Sequence, residues 1–358
     1  MSSRRRLGLR KRWALRLFSD LYADTVAEHR LRTLFWECTL RCNLHCRHCG
    51  SDCRVDPAEP DMPLADFLHV LDEQVTPHVD PAGVLLIFSG GEVLLRSDLE
   101  EAGRAVTQRG YPWGMVTNGL ALTAERLARL VDAGLRTISV SLDGLPDRHN
   151  YLRDHPQSFD RALQAIRSIR RYPDLAFDVI TCATDAVVGQ LDALCELLIA
   201  EGVQHWRLFS IFPMGRARND ATLRMSDESF RALLEFIRRT RREGRIDVSY
   251  ACEGFLGGYE AEVRDDFYQC AAGVSVASIR VNGDISGCTS VRANFTQGNI
   301  YRDDFWEVWE QRFAPFRNRD WARRGACADC RMFRYCQGGG MHLHDDSGEL
   351  LYCHYQRL

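Results

Sequence analysis

The chain has 358 residues, 45% of them apolar and 27% charged, with a formal net charge of −3. That composition excludes a disordered protein, and the near-neutral balance gives no reason to expect nucleic acid as a partner. No apolar run approaches the roughly 20 residues of a membrane span, and the basic opening MSSRRRLGLRKRWALRLF lacks an uninterrupted apolar centre and a small-residue cleavage site, so a cytoplasmic location is expected.

Residues 1–30 read as a basic amphipathic helical segment, with Leu7, Leu9, Trp13, Leu15, Phe18, Leu21 and Tyr22 set against basic residues. Such a helix can rest on an anionic membrane. The preferred expectation is a helix packed on the domain by Trp13, Phe18 and Tyr22, with its basic face in water. From residue 31 the pattern is that of βα units. The candidate strands are Leu31 to Thr39, Val84 to Ser89, Trp113 to Thr117, Thr137 to Ser141, Phe177 to Thr181 and Trp206 to Ser210. Helical periods fall near Leu64 to Val75, Asp98 to Arg109, Ala124 to Ala133, Phe159 to Arg171, Gly189 to Glu201 and Asp227 to Glu243. Six strands are too few for an eight-stranded barrel and suit an open, partial one. The expected fold class is therefore α/β, a partial (β/α)6 barrel over 31–245 with ligands at the carboxyl ends of its strands. A bridging segment, 246–264, leads to a small Cys-rich α+β domain, 265–358. There Asn282-Gly283 marks a hairpin and Phe305 to Phe316 a helix.

Fourteen cysteines in a reducing compartment point to metal ligation, because a chain this long does not need disulfides to hold its core. The most informative tract is Trp36-Glu-Cys-Thr-Leu-Arg-Cys-Asn-Leu-His-Cys-Arg-His-Cys49. Cys42, Cys46 and Cys49 have C-x3-C-x2-C spacing directly after the first strand. Three thiolates from one loop can hold a 4Fe-4S cluster and leave one iron open. A zinc knuckle is the competing reading, but it normally shows four ligands in two close pairs.

These residues resemble the radical S-adenosylmethionine (SAM) enzymes. The resemblance extends to Ser89-Gly90-Gly91-Glu92 after the second strand, Thr117-Asn118-Gly119 after the third and Ser141-Leu142-Asp143-Gly144 after the fourth. It implies that Gly90, Gly91, Glu92, Thr117, Asn118, Ser141 and Asp143 surround SAM, that His48 lies near the adenine, and that Arg153 pairs with the SAM carboxylate. Each Gly-containing turn taken singly is also ordinary turn chemistry. Phe212-Pro-Met-Gly-Arg-Ala217 is similar to a segment of the peptide-modifying branch. The family resemblance further implies reductive cleavage of SAM to methionine and a 5′-deoxyadenosyl radical, with a flavodoxin or ferredoxin as reductant.

The C-terminal part resembles the SPASM domain. Cys270 and Cys288 bracket Gly283, and Cys327-x2-Cys330-x5-Cys336 with Cys353 supplies four thiolates. The resemblance implies an auxiliary 4Fe-4S cluster on Cys327, Cys330, Cys336 and Cys353. A four-cysteine zinc site competes for the same residues. The chain departs from the family pattern at Gly340, where a further cysteine belongs. Cys270 and Cys288 are thus left as two thiolates of a possible second auxiliary site that is absent, shares Cys327 and Cys330, or recruits Cys252 or His342. Thr289 stands where sulfatase-maturating relatives carry an acidic base. Cys38, Cys182 and Cys195 read as buried inert thiols, and Cys53 has no assigned role.

The chain is most similar to the SPASM enzymes of the rSAM/lipoprotein system described in Bacteroidetes. The expected function is radical modification of a ribosomally made peptide or a protein side chain, by crosslink, thioether, epimerisation or oxidation. The alternatives are a radical SAM dehydrogenase or rearrangement enzyme acting on a small molecule, and a non-catalytic iron-sulfur or zinc scaffold.

Overall fold

The computed structural model describes residues 7–251 and 253–358. Its strands are β1 (Thr33–Thr39), β2 (Leu85–Gly90), β3 (Trp113–Thr117), β4 (Leu135–Ser141), β5 (Ala176–Ala183), β6 (His205–Ser210), β7 (Asp247–Tyr250), β8 (Val276–Ile279), β9 (Asp284–Ser286) and β10 (Gly298–Asn299). They form one sheet in the order β10-β9-β8-β1-β2-β3-β4-β5-β6-β7. From β1 to β7 every neighbour pair is parallel. The strands are buried on both faces and accordingly rich in aromatic and β-branched residues. Trp36 stacks on Phe67 at 4.3 Å and Phe88 on Trp113 at 4.9 Å, inside a core that leaves Trp36, Trp113 and Trp206 without solvent contact.

Three features differ from the sequence reading. The parallel run has a seventh strand, β7, inside the expected bridging segment. It is four residues long, too short to show a period. Beyond it, β8 pairs parallel with the free side of β1, Phe35 opposite Ser278. The C-terminal hairpin, whose turn carries Gly283 at φ 86°, therefore extends the barrel sheet across β1. A helix at Pro146–Arg153, absent from the expected helical periods, follows β4.

The N-terminal helix, Leu9–Glu28, packs on the segment before β8. Leu7 and Leu15 join Phe255 and Tyr268 in one buried group. Phe18 lies 5.4 Å from Phe267, and the Tyr22 hydroxyl donates to the Cys270 carbonyl at 2.9 Å. Trp13, expected in this contact, is instead 70% exposed. Two residues along a helix is a rotation of about 200°, so a helix seated on Leu15 turns Trp13 away from the domain. Among the described residues no helix is long and apolar enough to cross a membrane.

Candidate active site and a second thiol site

The loops after β1 to β4 leave from the same edge of the sheet, as parallel strands require. The loop after β1 gathers Cys42, Leu44, Cys46 and Cys53 into one buried group, with the partly buried Cys49 packed against it. Three ties fix it. Gly91 N–H donates to Thr39 O and Glu92 N–H to Arg41 O, both at 2.8 Å. A Cβ on Gly90 or Gly91 would stand 2.0 or 2.1 Å from those same carbonyl oxygens, so only glycine permits this approach. Arg41 pairs with Asp61, which also accepts from the Thr39 hydroxyl. Finally, Arg216 clamps the loop from the segment after β6. Its Nε donates to Cys46 O at 2.7 Å and its Nη1 to Cys53 O at 2.8 Å, while its backbone N–H donates to Cys49 O at 3.0 Å.

Donors from neighbouring elements reach the sulfurs. Asn118 Nδ2 is 3.9 Å from Cys42 Sγ and Arg153 Nη1 is 3.7 Å from Cys46 Sγ. The Cys53 thiol hydrogen-bonds to Cys49 and, with Arg216 nearby, lowers the Cys49 thiol to about 5, while Cys53 itself is pushed up. Three thiols from one loop, with an amide and a guanidinium aimed at their sulfurs, fit an anionic thiolate-bound cluster.

The residues expected around SAM divide into two buried knots. In the first, Glu92 accepts from Leu94 N–H at 3.2 Å, the Thr117 hydroxyl at 2.7 Å and Asn118 N–H at 2.8 Å. Burial raises its pKa and the three donors oppose that. Its carboxylate thus binds the end of β2 to the end of β3. The second knot forms where Ser141 ends β4. There Asp143 Oδ2 is 2.6 Å from Arg153 Nε and 3.5 Å from His48 Nε2, and its Oδ1 accepts from Cys182 N–H at 2.8 Å. Burial pushes the Asp143 carboxyl up, and Arg153, His48 and His149 together overcome it and hold the pKa below the usual value. Burial lowers His48 to about 4. Arg153 and Asp143, taken singly from the sequence, are here partners of each other. Cys182 approaches both His48 and Asp143, with ligand atoms of all three within 4.8 Å.

The sequence reading missed three residues at this edge, His149 and Glu253 buried and Arg216 partly buried. His149 accepts from Asp143 N–H at 2.8 Å and meets Ser158 Oγ at 2.9 Å. Its only local signal is Pro146 at a helix start. Arg216 lies inside a segment that was singled out without a role for the arginine. Glu253 accepts from Ser210 N–H at 2.9 Å and from the Tyr250 hydroxyl at 2.5 Å, beside His354. Nothing in its neighbourhood announces it.

In the C-terminal part Cys327, Cys330, Cys336 and Cys353 line one cavity with Gly338, Gly339 and Leu343. Burial, then the charges of the other thiols, raise Cys327 to about 11; burial dominates the rise of Cys336 to about 12. Four thiols around one cavity fit a four-thiolate cluster. Burial chiefly raises the Cys288 thiol, with the neighbouring Cys270 adding to the rise, and Cys270 lines a separate groove with Tyr22, Arg319 and Cys336. Of the further partners weighed for this pair, Cys252 lies outside the described residues. His342 sits against Phe212 at 4.9 Å and fills the space beside Gly340, 2.6 Å from where a Cβ there would stand.

Residues 36–197 match the family profile described as the radical SAM superfamily, and residues 270–331 match SPASM, described as an iron-sulfur cluster-binding domain. The chain therefore carries a radical SAM domain followed by a SPASM domain, and these imply a SAM-binding 4Fe-4S cluster and auxiliary iron-sulfur binding. It is 27% identical over 346 residues to the AdoMet-dependent heme synthase of Methanosarcina barkeri, covering 91% of this chain and 97% of that protein. It is 29% identical over 315 residues to the mycofactocin maturase MftC of Mycolicibacterium smegmatis, covering 86% and 77%. Its fold is similar to that of Streptococcus suis SuiB bound to precursor peptide SuiA, with a TM-score of 0.71 and 18% identity over 93% of this chain and 78% of that one. It is also similar to anSMEcpe with bound AdoMet, with a TM-score of 0.70 and 18% identity over 91% and 94%.

Proposed function

We propose that this radical SAM enzyme modifies a side chain of a ribosomally made peptide or a protein, receiving its electron from a flavodoxin or ferredoxin. The chemistry supplied by a cluster on Cys42, Cys46 and Cys49 with SAM is reductive formation of a 5′-deoxyadenosyl radical, which takes a hydrogen atom from the substrate. The protein's part is to hold and shield that site. Arg216 and the Gly90-Gly91 approach fix the thiol loop, Asn118 and Arg153 lend donors to its sulfurs, and the buried Asp143–Arg153 ion pair with His48 offers a polar wall for SAM. Cys327, Cys330, Cys336 and Cys353 would hold an auxiliary cluster.

The observation that carries the peptide reading is the Phe212–Ala217 segment, which resembles one of the peptide-modifying branch and is seated on the thiol loop through Arg216. The likeness to a maturase supports it, and the resemblance to the rSAM/lipoprotein-system enzymes, a reading from the sequence, is in keeping with it. A second reading, a tetrapyrrole substrate, is favoured by the near full-length match to a heme synthase. Co-expression with the short peptides and small proteins encoded beside the gene, followed by mass spectrometry, separates the two. A substrate mass change with matching 5′-deoxyadenosine supports the proposal. Turnover of an iron porphyrin, with no change in any peptide or protein, overturns it.

A further inference from the structure

The N-terminal helix shows a second apolar stripe on the side away from the domain. Leu9, Trp13, Leu17 and Leu21 recur at every fourth residue and are 84%, 70%, 48% and 58% exposed. They make up half of the eight large apolar side chains exposed among the described residues. The opposite side is already committed to packing through Leu15, Phe18 and Tyr22, and Lys11 is anchored to Glu262 at 3.0 Å. Folding of this chain leaves the outer stripe bare, and its charges say what suits it. Arg10, Arg12 and Arg16 are exposed beside Leu9, Trp13 and Leu17, and they make no ion pair with any described residue. Asp20, Asp24 and Glu28 occupy the second half, around Leu21. In a chain of net charge −3, this is a local concentration of positive charge around exposed Leu and Trp.

We infer that the first half of this helix docks the enzyme on an anionic lipid surface, with Leu9, Trp13 and Leu17 entering the headgroup boundary and Arg10, Arg12 and Arg16 meeting lipid phosphates. A tryptophan and leucines flanked by arginines is the composition that lies in a membrane interface without crossing it. The acidic second half is repelled by the same surface, so the helix enters by its first two turns. Because its inner face seats on the segment carrying Tyr268 and Cys270, docking brings the groove beside Cys336 near the membrane.

The test uses the full-length, cluster-loaded protein and anaerobic co-sedimentation with phosphatidylcholine vesicles, with or without about 30 mol% phosphatidylglycerol. The anionic vesicles are expected to bind at least about tenfold more protein, and each of Arg10→Ser, Arg12→Ser and Arg16→Ser to weaken binding about fivefold. Trp13→Ala with Leu17→Ala should reduce binding about tenfold or more, whereas Leu21→Ala should change it less than about twofold. Unchanged iron content and basal SAM cleavage certify the fold of these variants. Equal binding to neutral vesicles, or unaltered binding by the Trp13→Ala, Leu17→Ala protein, overturns the inference. So does a dimer that Trp13→Ala converts to monomer, because the stripe would then be covered by a second copy.

Discussion

Glu92→Gln tests what the Gly-Gly-Glu turn does. The substitution keeps the size of the side chain and replaces one acceptor oxygen with an NH2 group. The native carboxylate is fully buried and accepts from Leu94 N–H, the Thr117 hydroxyl and Asn118 N–H. However the amide turns, its nitrogen faces at least one of these donors. Losing a charge-assisted bond and leaving a buried donor unpaired costs about 3 kcal/mol. With about 2.1 cal/mol/K of unfolding entropy per residue over 358 residues, that becomes a fall in Tm of about 4 °C. The damage passes to the thiol loop, since Asn118 Nδ2 donates to Asn43 Oδ1 at 2.8 Å and approaches Cys42 Sγ. Anaerobic calorimetry and equilibrium dialysis of SAM are therefore expected to show reduced Tm and weakened binding together. A Tm within about 1 °C of the parent with SAM binding lost would refute the reasoning, because Glu92 would then be meeting the ligand and not the neighbouring loop.

Three further outcomes follow from the same geometry. Arg153→Met leaves the Asp143 carboxylate buried without its cation and should cost about 3–5 kcal/mol. Adding Asp143→Asn should recover part of that loss in a double-mutant cycle read by thermal unfolding, and strictly additive losses would contradict the pairing. Cys353→Ser should lower reconstituted iron from about eight atoms per chain to about four while 5′-deoxyadenosine formation persists, as one cubane is lost and the SAM site kept; unchanged iron would remove Cys353 from the auxiliary set. His344 is held near pKa 4, chiefly by burial, against about 6.5 in the unfolded chain. The unfolded state takes the proton first, so stability is lost as pH falls from about 6.5 toward 4, by about 2 kcal/mol at pH 5. His344→Gln should therefore shrink the Tm difference between pH 7 and pH 5 by about 3 °C, and parallel pH profiles for the two proteins would contradict this.

Much of the barrel is legible because its signals are local. Each of β1 to β6 is an aromatic or β-branched run between helical periods, and the turns that carry Gly90, Asn118 and Asp143 follow directly at strand ends. Features made by distant partners leave no such trace. The four residues of β7 are too few to show a period, and no pattern in Val276–Ile279 tells that it will pair with β1. Arg216 is one arginine among many until folding lays its guanidinium on the carbonyls of Cys46 and Cys53. Arg153 and Asp143 look like two separate ligand contacts because the sequence cannot show that a buried carboxylate needs its cation at contact distance. Their pairing changes what SAM would meet: a neutralised ion pair anchored by His48 and His149, not two free charges.

The N-terminal helix shows the same limit from the other side. Leu7, Leu15, Phe18 and Tyr22 form one apolar stripe and Leu9, Trp13, Leu17 and Leu21 another, and the sequence ranks neither above the other. The choice is made by residues more than two hundred positions later, because Phe255, Phe267 and Tyr268 complement only the first stripe. Once that face is filled, Trp13 has no protein surface left to cover, and what remains beside it is arginine. A packing preference set in the C-terminal part thus decides what the opposite end of the chain offers to a partner. Substituting Phe267 or Tyr268 should therefore disturb the presentation of Trp13, because those residues seat the opposite face of its helix.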